Sequence, residues 1–359
     1  MLGSRPIKGI NAIQLLTRKN KFMQKSFVAF VGIDVSKHKL DVCLLHTDEK
    51  QGSCHVFDNT TKGIKTMINW LGKQSPATKQ EYLFCLEYTG IYTMPLCCYL
   101  SEQEYLFAMV PALEIAKSIG IRRGKTDKAD ASAIAKYAQI RSKDIQLYQL
   151  PEKKLIKLKI LLTHRNRMVK TRKVFYVSMT EPADFIDKHI TIEVNRQSKQ
   201  LVTNLDKKIK QTEKQIAELI ACDPQMKRIY DLLISIPGVG PHIAAYLIVY
   251  TRCFTIFENS RKFACYSGIA PFEHTSGTSI RGKTRVNHMA DKSMKTLLDL
   301  AAKTAIRCDP EIRAFYEKRT ALGKPKMSTI NIVRFKVVGR MFAVVKRQTP
   351  YRTHLKEAA

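Results

Sequence analysis

An apolar run, Phe27-Val28-Ala29-Phe30-Val31-Gly32-Ile33, ends on an acid, Asp34. A short, β-branched run of this kind reads as the central strand of a sheet. A carboxylate that closes such a strand is costly to bury unless a cation pairs with it. The chain therefore needs a fold with a buried central strand and a reason for the acid at its end.

The pattern downstream supplies the rest of the sheet. Phe27 to Val35, Lys39 to Leu45 and Ser53 to Phe57 are joined by short connections, which predicts an antiparallel meander. Lys62 to Gly72 carries Ile64, Met67, Ile68 and Leu71 on one helical face. Tyr82 to Leu86 reads as a buried strand, Met94 to Ser101 as a helix, Tyr105 to Val110 as a strand and Asp127 to Ile140 as a helix. Three strands followed by alternating helix and strand is the order of a ribonuclease H-like α/β fold.

The boundaries follow from shifts in composition. Residues 1–26 form a basic arm expected to order on nucleic acid, and residues 27–145 form the α/β domain. Residues 146–222 carry two long helical patterns, Lys153 to Lys173 and Gln197 to Ala221, expected to make a basic coiled-coil arm. Its charges suit a solvated face as well as a nucleic-acid contact. Residues 223–348 form a mainly helical domain, and 349–359 a tail. The helical domain opens with Ile236-Pro237-Gly238-Val239-Gly240-Pro241 between two apolar segments, the pattern of a helix-hairpin-helix. Gly238 and Gly240 let such a turn approach phosphate, with free N–H groups at the next helix start. An ordinary interhelical turn has the same signature.

Charge points to the same class of partner. Lys and Arg number 61 against 31 Asp and Glu, a net charge of +30. That excess fits binding to a phosphate backbone. No apolar run reaches the roughly 20 residues needed to span a bilayer, so a membrane partner is not expected. The nine Cys contain no Cys-x-x-Cys pair and sit mostly in apolar stretches, which fits a reducing, cytoplasmic compartment.

Four acids form a candidate metal site. Asp34 and Glu87 each close an apolar strand, and Asp127 and Asp130 lie three apart at a helix start with Thr126 as cap. Hard oxygen ligands converging from separate elements are what two-metal phosphodiester cleavage requires. Taken singly, each acid also fits a turn or a capping role.

These residues carry a resemblance. Gly32-Ile33-Asp34-Val35-Ser36-Lys37, Glu87-Tyr88-Thr89-Gly90 and Lys125-Thr126-Asp127-Lys128-Ala129-Asp130-Ala131 resemble the DEDD motifs of insertion-sequence transposases related to Piv-type DNA invertases. Ile236-Pro237-Gly238-Val239-Gly240, Tyr266-Ser267-Gly268-Ile269-Ala270-Pro271 and Ser276-Gly277 resemble that family's C-terminal domain. The resemblance implies a RuvC-like N-terminal domain using Mg²⁺, or Mn²⁺ in its place, and a C-terminal serine nucleophile towards DNA. It also implies guidance by a structured bridge RNA; a dimer or tetramer is expected as a way to bring the metal and serine sites together, in a nucleoid-associated, prokaryotic setting. Carried over, Asp34, Glu87, Asp127 and Asp130 match the metal ligands and Ser276 the serine, with Ser279 and Ser267 as alternatives.

Arg281, Lys283 and Arg285 follow as candidates for contact with phosphate. The segment Val286-Asn287-His288-Met289-Ala290-Asp291-Lys292 departs from the family, whose members often have a glycine after a basic residue there. The expected function is DNA strand cleavage and rejoining. A water-using, junction-resolvase-like nuclease and a noncatalytic nucleic-acid-binding protein are the alternatives.

Overall fold

A computed structural model describes residues 26–88, 90–120, 126–180, 188–276, 280–286 and 290–352. The expected basic arm therefore lies, apart from its last residue, outside the described residues. So do Ser279 and His288. The chain divides into two compact units at Leu150 and Pro151.

The first unit is built on a sheet of five strands: β1 (Ala29–Val35), β2 (Lys39–His46), β3 (Ser53–Asp58), β4 (Tyr82–Glu87) and β5 (Leu106–Val110). They lie in the order β3-β2-β1-β4-β5. The first three form the antiparallel meander, while β4 joins β1, and β5 joins β4, in parallel. The apolar opening run thus becomes the middle strand. Ala29, Val31 and Ile33 are fully buried on one face against Ile64, Met67 and Leu71 of α1 (Thr61–Gln74) and Leu96 and Leu100 of α2 (Met94–Glu102). Thr60 caps α1 by accepting from the Gly63 N–H.

The opposite face carries α3 (Ala112–Ile119) and α4 (Asp127–Arg141). Phe30, Leu83 and Cys85 pack there on Ala133, Ile134 and Tyr137, and Cys43 and Leu45 pack on Ala131 and Ala135. The small residues of α4 have a purpose that periodicity leaves hidden. A Cβ placed on Gly32 would meet the Ala135 backbone nitrogen at 2.1 Å and the Ala131 carbonyl oxygen at 2.3 Å. Only glycine in the strand permits so close an approach of the helix.

The second unit begins with two long helices that pack on each other, α5 (Lys153–Thr180) and α6 (Lys188–Ala221). Both exceed the spans read from the sequence. Ion pairs Arg165–Glu213 at 2.8 Å and Arg172–Asp206 at 2.5 Å link them. Beyond them come α7 (Pro224–Ile234), α8 (Pro241–Tyr250), α9 (Ser260–Tyr266), a hairpin of β6 (Pro271–Ser276) and β7 (Ile280–Val286), then α10 (Lys292–Cys308), α11 (Pro310–Ala321) and α12 (Lys326–Arg347). A single apolar cluster runs from Leu155, Leu158 and Leu162 of α5 through α7 and α8 to Val333, Val337 and Met341 of α12. No described helix is long and apolar enough to cross a membrane.

Candidate active site and nucleic-acid interface

The β1–β4 register runs from Ala29↔Tyr82 to Ile33↔Leu86, so Asp34 and Glu87 occupy the next positions along adjacent parallel strands. Alternation puts Asp34 on the side of Phe30 and Gly32, and Glu87 on the side of Leu83 and Cys85, the face covered by α4. Gln139, near the end of α4, donates to the His46 and Thr47 carbonyls beside the start of β1. The helix therefore runs back along the strand, and its first turn, with Asp127 and Asp130, lies at the Asp34 end. Thr126 caps that turn through the Ala129 N–H at 3.2 Å. The exposed N–H groups and helix dipole favour negative charge there.

Two residues of this cluster were absent from the sequence reading. Asp41 stands opposite Asp34 in the antiparallel register and is only 5% exposed. Lys39 reaches Asp127 at 2.5 Å and Asp41 at 3.3 Å. The signal was present in the alternation Lys39-Leu40-Asp41-Val42, but its meaning depends on the turn Ser36-Lys37-His38 setting the pairing Val35↔Leu40.

Electrostatics record the crowding of acids. Burial, then the negative charges of Asp127, Asp130 and Asp41, push the Asp34 carboxyl above the ordinary carboxylate range, with the Val35 backbone opposing the shift. Hydrogen bonds to Asp127 and Asp41 raise the Lys39 ammonium in turn. The donor chemistry fits a divalent cation, which would relieve this repulsion. Even so, no three His, Cys, Asp or Glu side chains among the described residues are set closely enough to hold an ion as they stand.

The other candidates lie in the second unit. Ser276 is the last residue of β6, opposite Ile280. Arg281 pairs with Thr275 and Arg285 with Phe272 across the hairpin, with Lys283 between them on β7. Ser267 is fully buried and donates to the Phe263 carbonyl at 2.8 Å, so it is occupied as a helix back-bond.

The turn between α7 and α8 uses its two glycines differently. Gly238 has φ +95, and a Cβ on it would lie 2.5 Å from the Ala301 carbonyl of α10. Gly240 caps α8 with nothing within 4 Å of its virtual Cβ. The first glycine is thus demanded by internal packing, and the second faces open space.

Acids at the end of the central strand of a mixed sheet, in a strongly basic chain, suit an enzyme acting on nucleic-acid phosphates, and the matches to known proteins make its class the DNA transposases and recombinases. A DEDD-type IS110 transposase model matches residues 31–179, and the model for the transposase IS116/IS110/IS902 family matches residues 230–317. The chain belongs to this family, and the matched stretches contain every acid of the cluster as well as the β6–β7 hairpin. The pilin gene-inverting protein of Moraxella bovis is 27% identical over 336 residues, covering 91% of this chain and 99% of the relative. The pilin gene-inverting protein of Moraxella lacunata aligns to the same extent. An uncharacterized 43.6 kDa protein of insertion element IS110 from Streptomyces coelicolor is 29% identical over 143 residues, 40% of this chain and 34% of the relative. Membership makes the chain an enzyme acting on DNA and points to dependence on a divalent metal.

Proposed function

We propose that this transposase cuts and rejoins DNA strands through a covalent serine intermediate, with Asp34, Glu87, Asp127 and Asp130 as ligands for Mg²⁺ or Mn²⁺. The observation that carries the reading is the antiparallel run of α4 over Gly32, which brings two helix-borne acids to the end of the strand bearing Asp34. The sheet order and the mixed strand senses support a ribonuclease H-like, RuvC-like assignment of the first unit.

In this reading the Ser276 hydroxyl attacks the scissile phosphorus. A bond forms from Oγ to phosphorus, the bond from phosphorus to the 3′ oxygen breaks, the serine proton passes to solvent and the 3′ oxygen takes up a proton. Rejoining reverses these steps with a different 3′ hydroxyl. When bound, the divalent cation supplies charge neutralisation at the phosphate and at the leaving oxygen. Asp34, Glu87, Asp127 and Asp130 would hold it, and Arg281, Lys283 and Arg285 would offer positive charge to phosphate from β7. Backbone N–H groups around Gly240 and the start of α8 offer a second phosphate contact of helix-hairpin-helix type.

Partner choice is delegated to base pairing with a structured bridge RNA, for which the excess positive charge and the α5–α6 arm offer binding surface. The enzyme works as a dimer or tetramer. The relatives named for gene inversion align over nearly their whole length, which supports inversion as an outcome of the same strand chemistry.

The test is to purify the full chain after co-expression with its flanking DNA, trim with nuclease and examine the Ser276 peptide by mass spectrometry. A nucleotide remnant in the wild type, absent in Ser276→Ala and Asp34→Ala, is expected. Metal-dependent cleavage without any adduct, retained in Ser276→Ala, would instead make the enzyme a water-using nuclease.

A further inference from the structure

We infer that Lys39 is the resident counter-cation of the carboxylate cluster and a positioning residue for Asp127, which it gives up when a divalent metal binds. The inference rests on the reading of these acids as a metal site. Lys39 starts β2 and points its ammonium between two carboxylates from different elements, Asp41 at 3.3 Å and Asp127 at 2.5 Å. Asp41 is the anchor: its side chain is 7% exposed and it faces Asp34 across the strand pair. Asp127 is the exposed partner, with a side chain 54% exposed on the first turn of α4.

A dication sharing the Asp127 carboxylate would be repelled by the ammonium engaged there. Buried Asp41, in contrast, leaves Lys39 a place to remain after Asp127 turns away. The pair therefore neutralises the acids while no metal is held and competes with the metal for one ligand. Nothing in this competition requires DNA, so it is measurable on the protein alone.

The experiment titrates chelator-stripped, full-length protein with Mn²⁺ and follows free Mn²⁺ by electron paramagnetic resonance in the wild type, Lys39→Met and Asp34→Asn. Lys39→Met is expected to bind Mn²⁺ about tenfold more tightly than the wild type, since a competing charge has been removed. Asp34→Asn is expected to lose the binding. Equal or weaker affinity in a folded Lys39→Met overturns the inference while leaving the metal site standing. Absence of Asp34-dependent binding in the wild type overturns the metal reading and the inference with it.

A measurement without substitution covers the case in which Lys39→Met does not fold. Lysine acylation by a small N-hydroxysuccinimide ester, read by mass spectrometry on the wild type, should rise at Lys39 when Mn²⁺ is added. An unchanged rate at Lys39 under saturating Mn²⁺ overturns the inference.

Discussion

Gly32 of β1 and Ala135 of α4 touch so closely that a Cβ on the glycine would lie 2.1 Å from the Ala135 backbone nitrogen. This contact sets the height of α4 above the sheet and with it the position of Asp127 and Asp130 near Asp34. Gly32→Ala must push the helix outward, because the obstructing atoms are backbone. We expect a loss of about 3 kcal/mol in stability. Strand cleavage should fall by roughly 100-fold, the effect of a catalytic group displaced by about 1 Å. Denaturant unfolding and a cleavage assay on the same preparation check both.

Asp34 carries a carboxyl held above its ordinary value of 3.8 by burial and by three neighbouring acids. A raised carboxyl contributes stability that is fully present below the unfolded value and is lost as pH rises through the folded one. Metal-free wild type is therefore penalised at neutral pH, and Asp34→Asn should melt at a higher temperature despite being inactive. The advantage should shrink as pH falls towards 4 and shrink again when Mg²⁺ is added to the wild type. Thermal melts in chelator across a pH series decide it, and a variant less stable than the wild type at pH 7 would count against the crowded-acid account.

The two turn glycines separate packing from binding. Gly238→Ala meets the Ala301 carbonyl at 2.5 Å with a φ of +95, and should cost about 2 kcal/mol or more. Gly240→Ala has open space and should cost about 1 kcal/mol or less, as a helix N-cap change. Loss of DNA affinity in the stable Gly240→Ala variant, read by a filter-binding titration, would then report a backbone contact with phosphate.

Arg340 of α12 donates to Asp309 at 2.6 Å, and the Asp309 side chain is wholly buried where it caps α11. Its guanidinium also reaches Glu311 at 2.7 Å. Arg340→Ala strands a buried carboxylate and should destabilise the second unit by about 3–5 kcal/mol. Arg340→Lys should recover part of that, because a point charge replaces a two-pronged donor. Urea unfolding monitored by far-ultraviolet circular dichroism gives the comparison.

His242, at the start of α8, is pulled down from 6.5 to about 4 by burial first and by Arg165 second, with Glu213 opposing. Arg165 can only donate, so the His242 Nε2 at 3.5 Å accepts and the ring is neutral. A depressed histidine contributes stability present above the unfolded value and lost as pH falls from about 6.5 towards 4. Screening of this half-buried ring holds the loss to roughly 1–2 kcal/mol. His242→Gln should flatten the pH dependence of unfolding in that window; an unchanged slope would count against a neutral ring.

Much of the first unit was legible in the chain. The strands and helices around Asp34, Glu87, Asp127 and Asp130 were visible because apolar periodicity and a capping Thr126 are local signals. Asp41 and Lys39 escaped notice because their importance lies in register, where a short turn decides which residue of β2 faces Asp34. Likewise, nothing local in Glu273-His274-Thr275-Ser276 marks a strand, yet the pairing of Ser276 with Ile280 across the hairpin places it at the end of β6, because the partner strand sets the backbone.

The sequence by itself determined the alternation of elements, the positive charge that calls for a phosphate partner and the motifs that mark the family. Only the tertiary structure decided that α4 descends onto Gly32, that Asp41 joins the acids and that Lys39 sits between two of them. Periodicity and composition are properties of neighbouring residues. A cluster of charges drawn from three strands and a helix exists only once packing has chosen their distances.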